Sequence, residues 1–585
     1  MVTNKYITRI ASVIMAAAVI LCLMASLFSD KLQEVYGNNA VTMKYESKLF
    51  STDQIMDIDI LMDEDDWNNM LENAISEEYY SCNVVVNGKT FYSVGIRPKG
   101  NTSLSSIVND PDTDRYSFKL EFDHYIEGQT CYGLDKLILN NNYADATNMK
   151  EAIVYDMYQY LGVDASLYNY AKISVNGDYR GVYLALEAVE DSFMLRNYGT
   201  EDGNLYKPES MGIGGGVDGN GFPQKGEMPD GNGFPQKGEM PDGADFPQKG
   251  EMPDGEDFPQ KGEMPDGEDF PQMGEAPNGE AADIKMGIMG GNGGADLNYT
   301  DDDLDSYSTI WDGEITDSDK KDHKRVVEAL KNISEGTDLE TYMDVDNILK
   351  YMAVHTFVVN DDSLSGTMAH NYYLYEYNGK LNILPWDYNL SFGGMSMGGK
   401  MGGQSLGATS VINDAIDTPF SITDFFDALL ENEEYLEQYH GYLNELVEKY
   451  VNGGEFEKTY ERIRSQIDDL VGNDPTAFYS YEEYEEAANM LIEVVQLRAK
   501  SVSGQLAGTI PSTDEGQQQD SSNLIDGSDI DLSVMGSFSG GGGGNEGQGK
   551  DNGFAGTPQP FDAGDVSPIS EEKADLQDSN QDSVK

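Results

Sequence analysis

The stretch TFVVNDDSLSGTMAHNYYLYEYNGKLNILPWDYNLSFGG, residues 356–394, carries the arrangement that decides how the chain is read. Acidic residues bracket it, with Asp361 and Asp362 near the start and Asp387 near the end. Between them two runs of strand character, 372–377 and 380–384, flank Asn378-Gly379. Asn-Gly between aromatic and branched residues is a strong hairpin signal, because both residues accept the positive φ of a tight turn. Such a hairpin folds the chain back and draws the two acidic ends together. Carboxylates converging there, with Asn371 between them, suit a divalent cation and a polyphosphate better than a packed core.

Outward from this stretch, composition sets limits. The chain has 585 residues and a formal net charge of -66, from 104 acidic and 38 basic residues. Nucleic acid is excluded as a partner, since binding it requires clustered Lys and Arg to neutralise phosphates. At the N-terminus Lys5 and Arg9 precede an apolar run, 10–28, of bilayer-spanning length. Residues 1–30 are expected to be a signal peptide or an uncleaved membrane anchor, so the bulk of the chain is exported to the cell surface or beyond. In that setting Cys82 and Cys131 either pair as one disulfide or stay as two thiols. The five histidines are scattered, which argues against a His-based metal site.

Residues 45–210 read as an antiparallel sheet with a helix inserted partway. Asn87-Gly88 and Asn176-Gly177 mark two further hairpins, and YSFKLEF (116–122) alternates cleanly around Lys119. The second strand runs into a small polar turn, Arg97-Pro98-Lys99-Gly100-Asn101-Thr102-Ser103, and 146–161 is helical with Glu151 in its first turns. Residues 211–295 contain five consecutive twelve-residue units such as GNGFPQKGEMPD. Pro and Gly in every unit bury no face, so this segment is expected to be a disordered insertion. Amphipathic helices then fill 296–507 around the opening stretch, and the Ser/Gln/Asp/Gly-rich 508–585 reads as a disordered acidic tail.

The order of these parts is that of phosphoryl transfer. A Gly-bearing turn covers phosphates, a strand Lys touches them, and a helix Glu orients the Lys. One Asp then handles the nucleophile and another holds metal. GxGxxG, HRD and DFG are all absent. Without further information Lys119 is equally a solvent-facing strand residue, Glu151 a surface charge, and Asp361 a turn cap.

The runs GIRPKGNTS (95–103), YSFKLEF (116–122), LILNNNYADATNMKEAI (137–153), ISVNGDYRGVYLALEAVED (173–191), GNLYKP (203–208) and HNYYLYEYNGKLNILPWDYNLSFGG (370–394) resemble the CotH family of spore-coat-associated atypical protein kinases. The resemblance covers most of 90–210 and 345–395 and leaves 211–295 outside. It implies an α+β, kinase-like two-lobed fold, with an N-terminal antiparallel sheet lobe and a helical C-lobe. It also implies transfer of phosphate from ATP, with Mg²⁺ or Mn²⁺, to Ser/Thr of coat or surface proteins. By the same resemblance Asp387 holds the metal with Asn371, and Asp362, with Asp361 as its rival, is the catalytic aspartate. Lys119 paired with Glu151, together with Arg97, Gly100, Asn101 and Ser103, is assigned to the phosphates. Asn389 stands where the family motif has a second aspartate. The alternative is a non-catalytic surface scaffold on the same fold.

Overall fold

The computed structural model describes residues 40–209, 293–366, 369–395, 407–420 and 422–538. Seven strands come from the N-terminal half: β1 (Met56–Leu61), β2 (Tyr80–Val86), β3 (Lys89–Lys99), β4 (Ser117–Glu121), β5 (Lys136–Asn140), β6 (Tyr168–Val175) and β7 (Asp178–Glu187). They are ordered β1-β2-β3-β4-β5-β7-β6, and β1 returns to pair in parallel with β6, Met56 opposite Ala171 through Ile60 opposite Val175. The expected antiparallel sheet is therefore a closed barrel. Closure satisfies the backbone groups that two sheet edges would otherwise expose.

A smaller sheet contains β8 (Asn204–Tyr206), β9 (Tyr372–Tyr377) and β10 (Lys380–Pro385), with β9 in the middle. All three Asn-Gly pairs form the turns that the sequence called for. Positive φ occurs at both residues of Asn87-Gly88 (49° and 78°), Asn176-Gly177 (52° and 88°) and Asn378-Gly379 (54° and 87°). That is the type I′ conformation, whose twist matches that of the strands it joins.

Strand alternation supplies two cores at once. On β7, Tyr183 and Ala185 join the barrel interior with Ile58, Val84, Phe118 and Leu139. Val182, Leu184 and Leu186 face the other way, into a second core built with the helices. A strand buried on both faces reads as a continuous apolar run, which is the sequence of β7. Against this outer wall lies α1 (Lys150–Leu161), where nine side chains are buried, Lys150 and Glu151 among them. The second core continues through α2 (Val345–Val358), α3 (Glu433–Glu445), α4 (Glu455–Gly472) and α5 (Tyr481–Leu506). α3 runs on as a π-helical stretch, Leu446–Val451.

Two buried arginines tie the parts together. Arg115, just before β4, pairs with Asp474 at 2.7 Å, both side chains being 2 % exposed. It also donates to Thr476 Oγ1 (2.8 Å) and to the carbonyls of Val182 (2.6 Å) and Asn141 (3.1 Å). Arg498 of α5 caps the C-terminal end of α2, donating to Thr356 O (2.8 Å) and Phe357 O (3.1 Å), and to Asp414 O (2.7 Å) from the opposite side. A guanidinium suits this task, because its five donors can answer several exposed carbonyls at a helix end.

The tail expected to be disordered from 508 is ordered as far as 538. It forms a short helix, Asp514–Gln519, and a 3-10 turn, Leu532–Met535, with Met535 buried. Its last residues bond to both sides of the molecule, Ala146 N to Met535 O (3.1 Å) and Phe538 N to Gly394 O (3.0 Å). Polar composition concealed this, since only a few scattered apolar residues, Ile530, Leu532, Met535 and Phe538, dock the segment beside its backbone bonds. Cys82 and Cys131 are both buried free thiols, so no disulfide forms. Of the remaining expectations, the membrane-length run, the repeats and residues 539–585 lie outside the described residues. No helix among the described residues is long and apolar enough to cross a membrane.

Arg115→Met leaves Asp474 buried without its counter-ion. Loss of one partner of a buried pair costs about 3–5 kcal/mol. The denaturant midpoint of the full chain should fall accordingly, and an unchanged midpoint would show that the pair does not hold the barrel to the segment after α4.

Candidate active site

The site forms where the ends of β3 and β5, the first turn of α1 and the loops around β9–β10 meet. β3 ends in Lys99, opposite Ser117 of β4, and its ammonium donates to Asn140 Oδ1 at 3.1 Å. Asn140, the last residue of β5, in turn donates to Glu151 Oε2 of α1 at 2.9 Å. Trp386 lies under the same ammonium, 5.5 Å from ring centre to Nζ, a cation–π distance. The next residue, Asp387, adopts φ 59°. This left-handed conformation is unusual outside glycine and recurs at functional sites, where surrounding structure holds it.

Glu151 is buried and Asp387 half-buried, and both carboxyls are shifted upward. Burial raises Asp387, the charge of Asp362 adds to the rise, and Lys99, Lys207 and His370 oppose it. Burial likewise pushes Glu151 up to about 8, helped by the charge of Asp387 and opposed by Asn140 and Lys99. Lys99 moves the other way, lowered by burial and partly restored by Asp387 and Glu151. These opposed shifts are those of a cation and two carboxylates sharing a dry site.

The other acidic end is fixed by its own partners. Asp362 is 8 % exposed and receives Asn371 Nδ2 on Oδ2 at 2.9 Å and on its backbone carbonyl at 2.8 Å. His370 Nε2 lies 3.0 Å from Asp362 Oδ1. Asp361 is half-buried and lines a neighbouring recess with Asn360 and Asp414. The backbone leading here is also forced: Val359, directly after α2, has φ 50°, a conformation that β-branched residues rarely adopt.

The remaining assignments come out differently. The expected pairing of Lys119 with Glu151 does not form. Lys119 bonds Glu190, which also takes Lys136, while Lys99 is the lysine beside Glu151. Lys119 lies opposite Arg97 and Lys99 opposite Ser117, so the two lysines sit one strand row apart on the same outer face of the barrel. Arg97 pairs with Glu77 and stacks over Tyr79. The turn expected over 97–103 is shorter than the sequence suggested: Arg97–Lys99 end β3, Gly100 and Asn101 make the turn, and Ser103 lies in the first turn of a short helix, Thr102–Val108. Gly100 has φ 130°, and a Cβ there would come 2.9 Å from Ser103 Oγ, so glycine is required.

Sequence reasoning passed over Lys99, Asn140, Lys207, His370 and Asn360. Lys99 was visible within RPKGN as the charge at a strand end beside the glycine turn; the others carried no local signal.

The residues present can be tested against a divalent cation. Among the described residues no three His, Cys, Asp or Glu side chains cluster closely enough to hold one. Amide oxygens complete the set: Asn360 is 1 % exposed and its Oδ1 has no hydrogen-bond partner. Asn371 commits its nitrogen to Asp362, which leaves only its oxygen for a ligand. Two carboxylates with amide oxygens form a hard-oxygen set of the kind Mg²⁺ takes together with phosphates and water. Asn389 likewise commits its nitrogen, Nδ2 donating to Tyr143 O at 2.9 Å.

A lysine, a helix glutamate and two aspartates at a barrel mouth are the parts of a phosphate-handling, kinase-like site. The family model described as CotH kinase protein matches residues 96–256 and 263–502, well over half of the chain. The chain belongs to the CotH kinase family. The match extends into the repeats, which the sequence resemblance had left outside. No curated protein matches the chain.

Glu151 gives this geometry a pH signature. Its carboxyl holds its proton in the folded state to about pH 8, whereas the unfolded chain loses it near the ordinary glutamate value of 4.5. Stability from this group is therefore complete below pH 4.5 and declines as pH rises toward 8. Glu151→Gln removes that slope. In metal-free buffer the variant's stability relative to wild type should rise from pH 5 to 8, and a constant difference would refute the raised carboxyl.

Proposed function

We propose that the chain is an ATP-dependent protein kinase of two-lobed build, with the barrel as one lobe and the helices as the other. Its targets are Ser or Thr hydroxyls of exported surface or coat proteins. The observation that carries this reading is the convergence of Lys99, Glu151, Asp387 and Asp362 from four separate segments. The apolar run at 10–28 suits a membrane anchor that would hold the enzyme on the exported side.

In this reading Lys99 meets the phosphates from the outer face of the barrel at the end of β3, and Asn140 relays its position to Glu151. The glycine turn and the helix start after it, 100–103, cover the phosphates with backbone N–H groups. Asp387 and the oxygens of Asn371 and Asn360 would hold Mg²⁺ or Mn²⁺, with Asp362 beside them. Such a cation draws off charge from the phosphates. Asp362, oriented by Asn371 and His370, accepts the proton of the attacking hydroxyl. Catalysis then rests on placement and electrostatics, as phosphoryl transfer demands.

A second reading is a nucleotide-binding scaffold without turnover. It is favoured by Asn389, which brings no charge where the family motif has a second aspartate.

Full-length protein incubated with labelled ATP and Mg²⁺ or Mn²⁺ separates the two. Asp387→Asn, Asp362→Asn and Lys99→Met should each lower phosphate incorporation by about a hundredfold or more, the range for losing one electrostatic contact in a transition state. Lys119→Met should stay within about threefold of wild type, because Glu190 rather than the site holds it. Nucleotide binding without incorporation by the wild type selects the scaffold. Equal loss from Lys119→Met and Lys99→Met would overturn the assignment of Lys99.

A further inference from the structure

Between the two acidic loops lies an unbroken line of buried hydrogen bonds. Tyr158 of α1 and Tyr388, the neighbour of Asp387, have hydroxyls 2.5 Å apart. Tyr388 Oη lies 3.0 Å from His355 Nδ1, and His355 Nε2 lies 2.9 Å from Ser365 Oγ. Ser365 Oγ donates to the carbonyl of Asn360 at 2.8 Å, two residues before Asp362. His355 is 1 % exposed, stacked between Tyr351 (5.4 Å) and Phe420 (5.3 Å).

Donor counting fixes the direction of every link. A carbonyl cannot donate, so the single Ser365 hydroxyl proton goes to Asn360 O. Ser365 Oγ must then accept from His355, which places the ring proton on Nε2. Burial keeps the ring neutral, so Nδ1 accepts, and Tyr388 Oη at 3.0 Å is its near donor, with Tyr351 Oη farther off at 3.5 Å. Tyr388 Oη accordingly accepts from Tyr158. Each group uses its one proton, and the chain runs one way from α1 to the loop of Asp362.

The geometry points to His355 as a positioning residue, locked in its Nε2–H tautomer, that sets the spacing between the Asp387 loop and the Asp361–Asp362 loop. Direct bonds between these segments include Asn360 Nδ2 to Asp387 O, long at 3.5 Å, and Phe392 N to Val358 O at the end of α2, 2.7 Å, which leaves the acidic ends themselves weakly joined. The relay approaches the same two segments from behind, through the helix that carries Glu151. Its effect on turnover rests on the kinase reading; its tautomer does not.

The test has two arms. In the first, full-length chain labelled with ¹⁵N-histidine gives a long-range proton–nitrogen spectrum, assignable because the chain has five histidines. His355 should show a protonated Nε2 and a hydrogen-bonded, unprotonated Nδ1. Tyr388→Phe should move the Nδ1 resonance and Ser365→Ala the Nε2 resonance. The Nδ1–H tautomer, or resonances indifferent to both substitutions, would overturn the relay.

In the second arm His355→Gln, His355→Leu and Tyr388→Phe are compared in phosphate transfer. His355→Leu and Tyr388→Phe should lower kcat about tenfold with the ATP KM within about twofold, as small misplacement of reacting groups does. His355→Gln, whose amide can still donate to Ser365, should recover part of the loss. The Tyr388→Phe/His355→Leu double variant should be no worse than the poorer single, because both break one chain. Wild-type kcat in all three single variants would overturn the positioning role. If the wild type transfers no phosphate, the kinase reading fails and amide exchange decides the proposal. Residues 359–366 and 387–392 must then exchange faster together in Tyr388→Phe while β4 and β5 stay unchanged, and unaltered exchange in either loop overturns it.

Discussion

Partial burial of Lys99 is the constraint on which the site depends. A cation drawn away from water must find charge and hydrogen-bonding partners nearby, or it loses its proton. Here the partners come from three segments: Asn140 from β5, Glu151 from α1, and Trp386 and Asp387 from the loop after β10. None of these residues can shift without leaving another uncompensated. Lys99 thus couples the barrel to the loop that follows the small sheet, and it offsets part of the upward shift that burial imposes on Glu151 and Asp387.

The surroundings of the site are rigid for the same reason. Arg498 holds the end of α2, so the chain enters Val359 and Asn360 from a fixed point. Asn371 and His370 then orient Asp362 from the start of β9. The segment ending at Phe538 closes the arrangement, bonding Ala146 on one side and Gly394 on the other. A stretch of polar sequence beyond the end of the family match is therefore part of the wall beside the Asp387 loop.

Much of the site could be seen in the sequence because it was local. Asp387, Asp362 and Asn371 announced themselves through the hairpin that joins them, and the hairpin through Asn378-Gly379. Lys119 was a reasonable choice on pattern, since it sits on a cleanly alternating strand. It fails because pattern gives a face and not a row. Arg97, Lys99 and Lys119 share the outer face of the barrel, and only strand register decides that Lys99 reaches Asn140 while Lys119 meets Glu190.

By itself the sequence determined what short-range chemistry controls: three type I′ hairpins, the helices, the acidic charge balance, and the resemblance to a kinase family. Tertiary structure alone decided the closure of β1 on β6, which lysine stands beside Glu151, the free thiols and the docking of 508–538. Each of these depends on contacts between residues far apart in the chain, whose pairing is set by packing and register rather than by neighbours. Glu151 shows the difference. Its place on a helix was legible, but its proton is set by the loss of water and by a charge more than two hundred residues away, at Asp387.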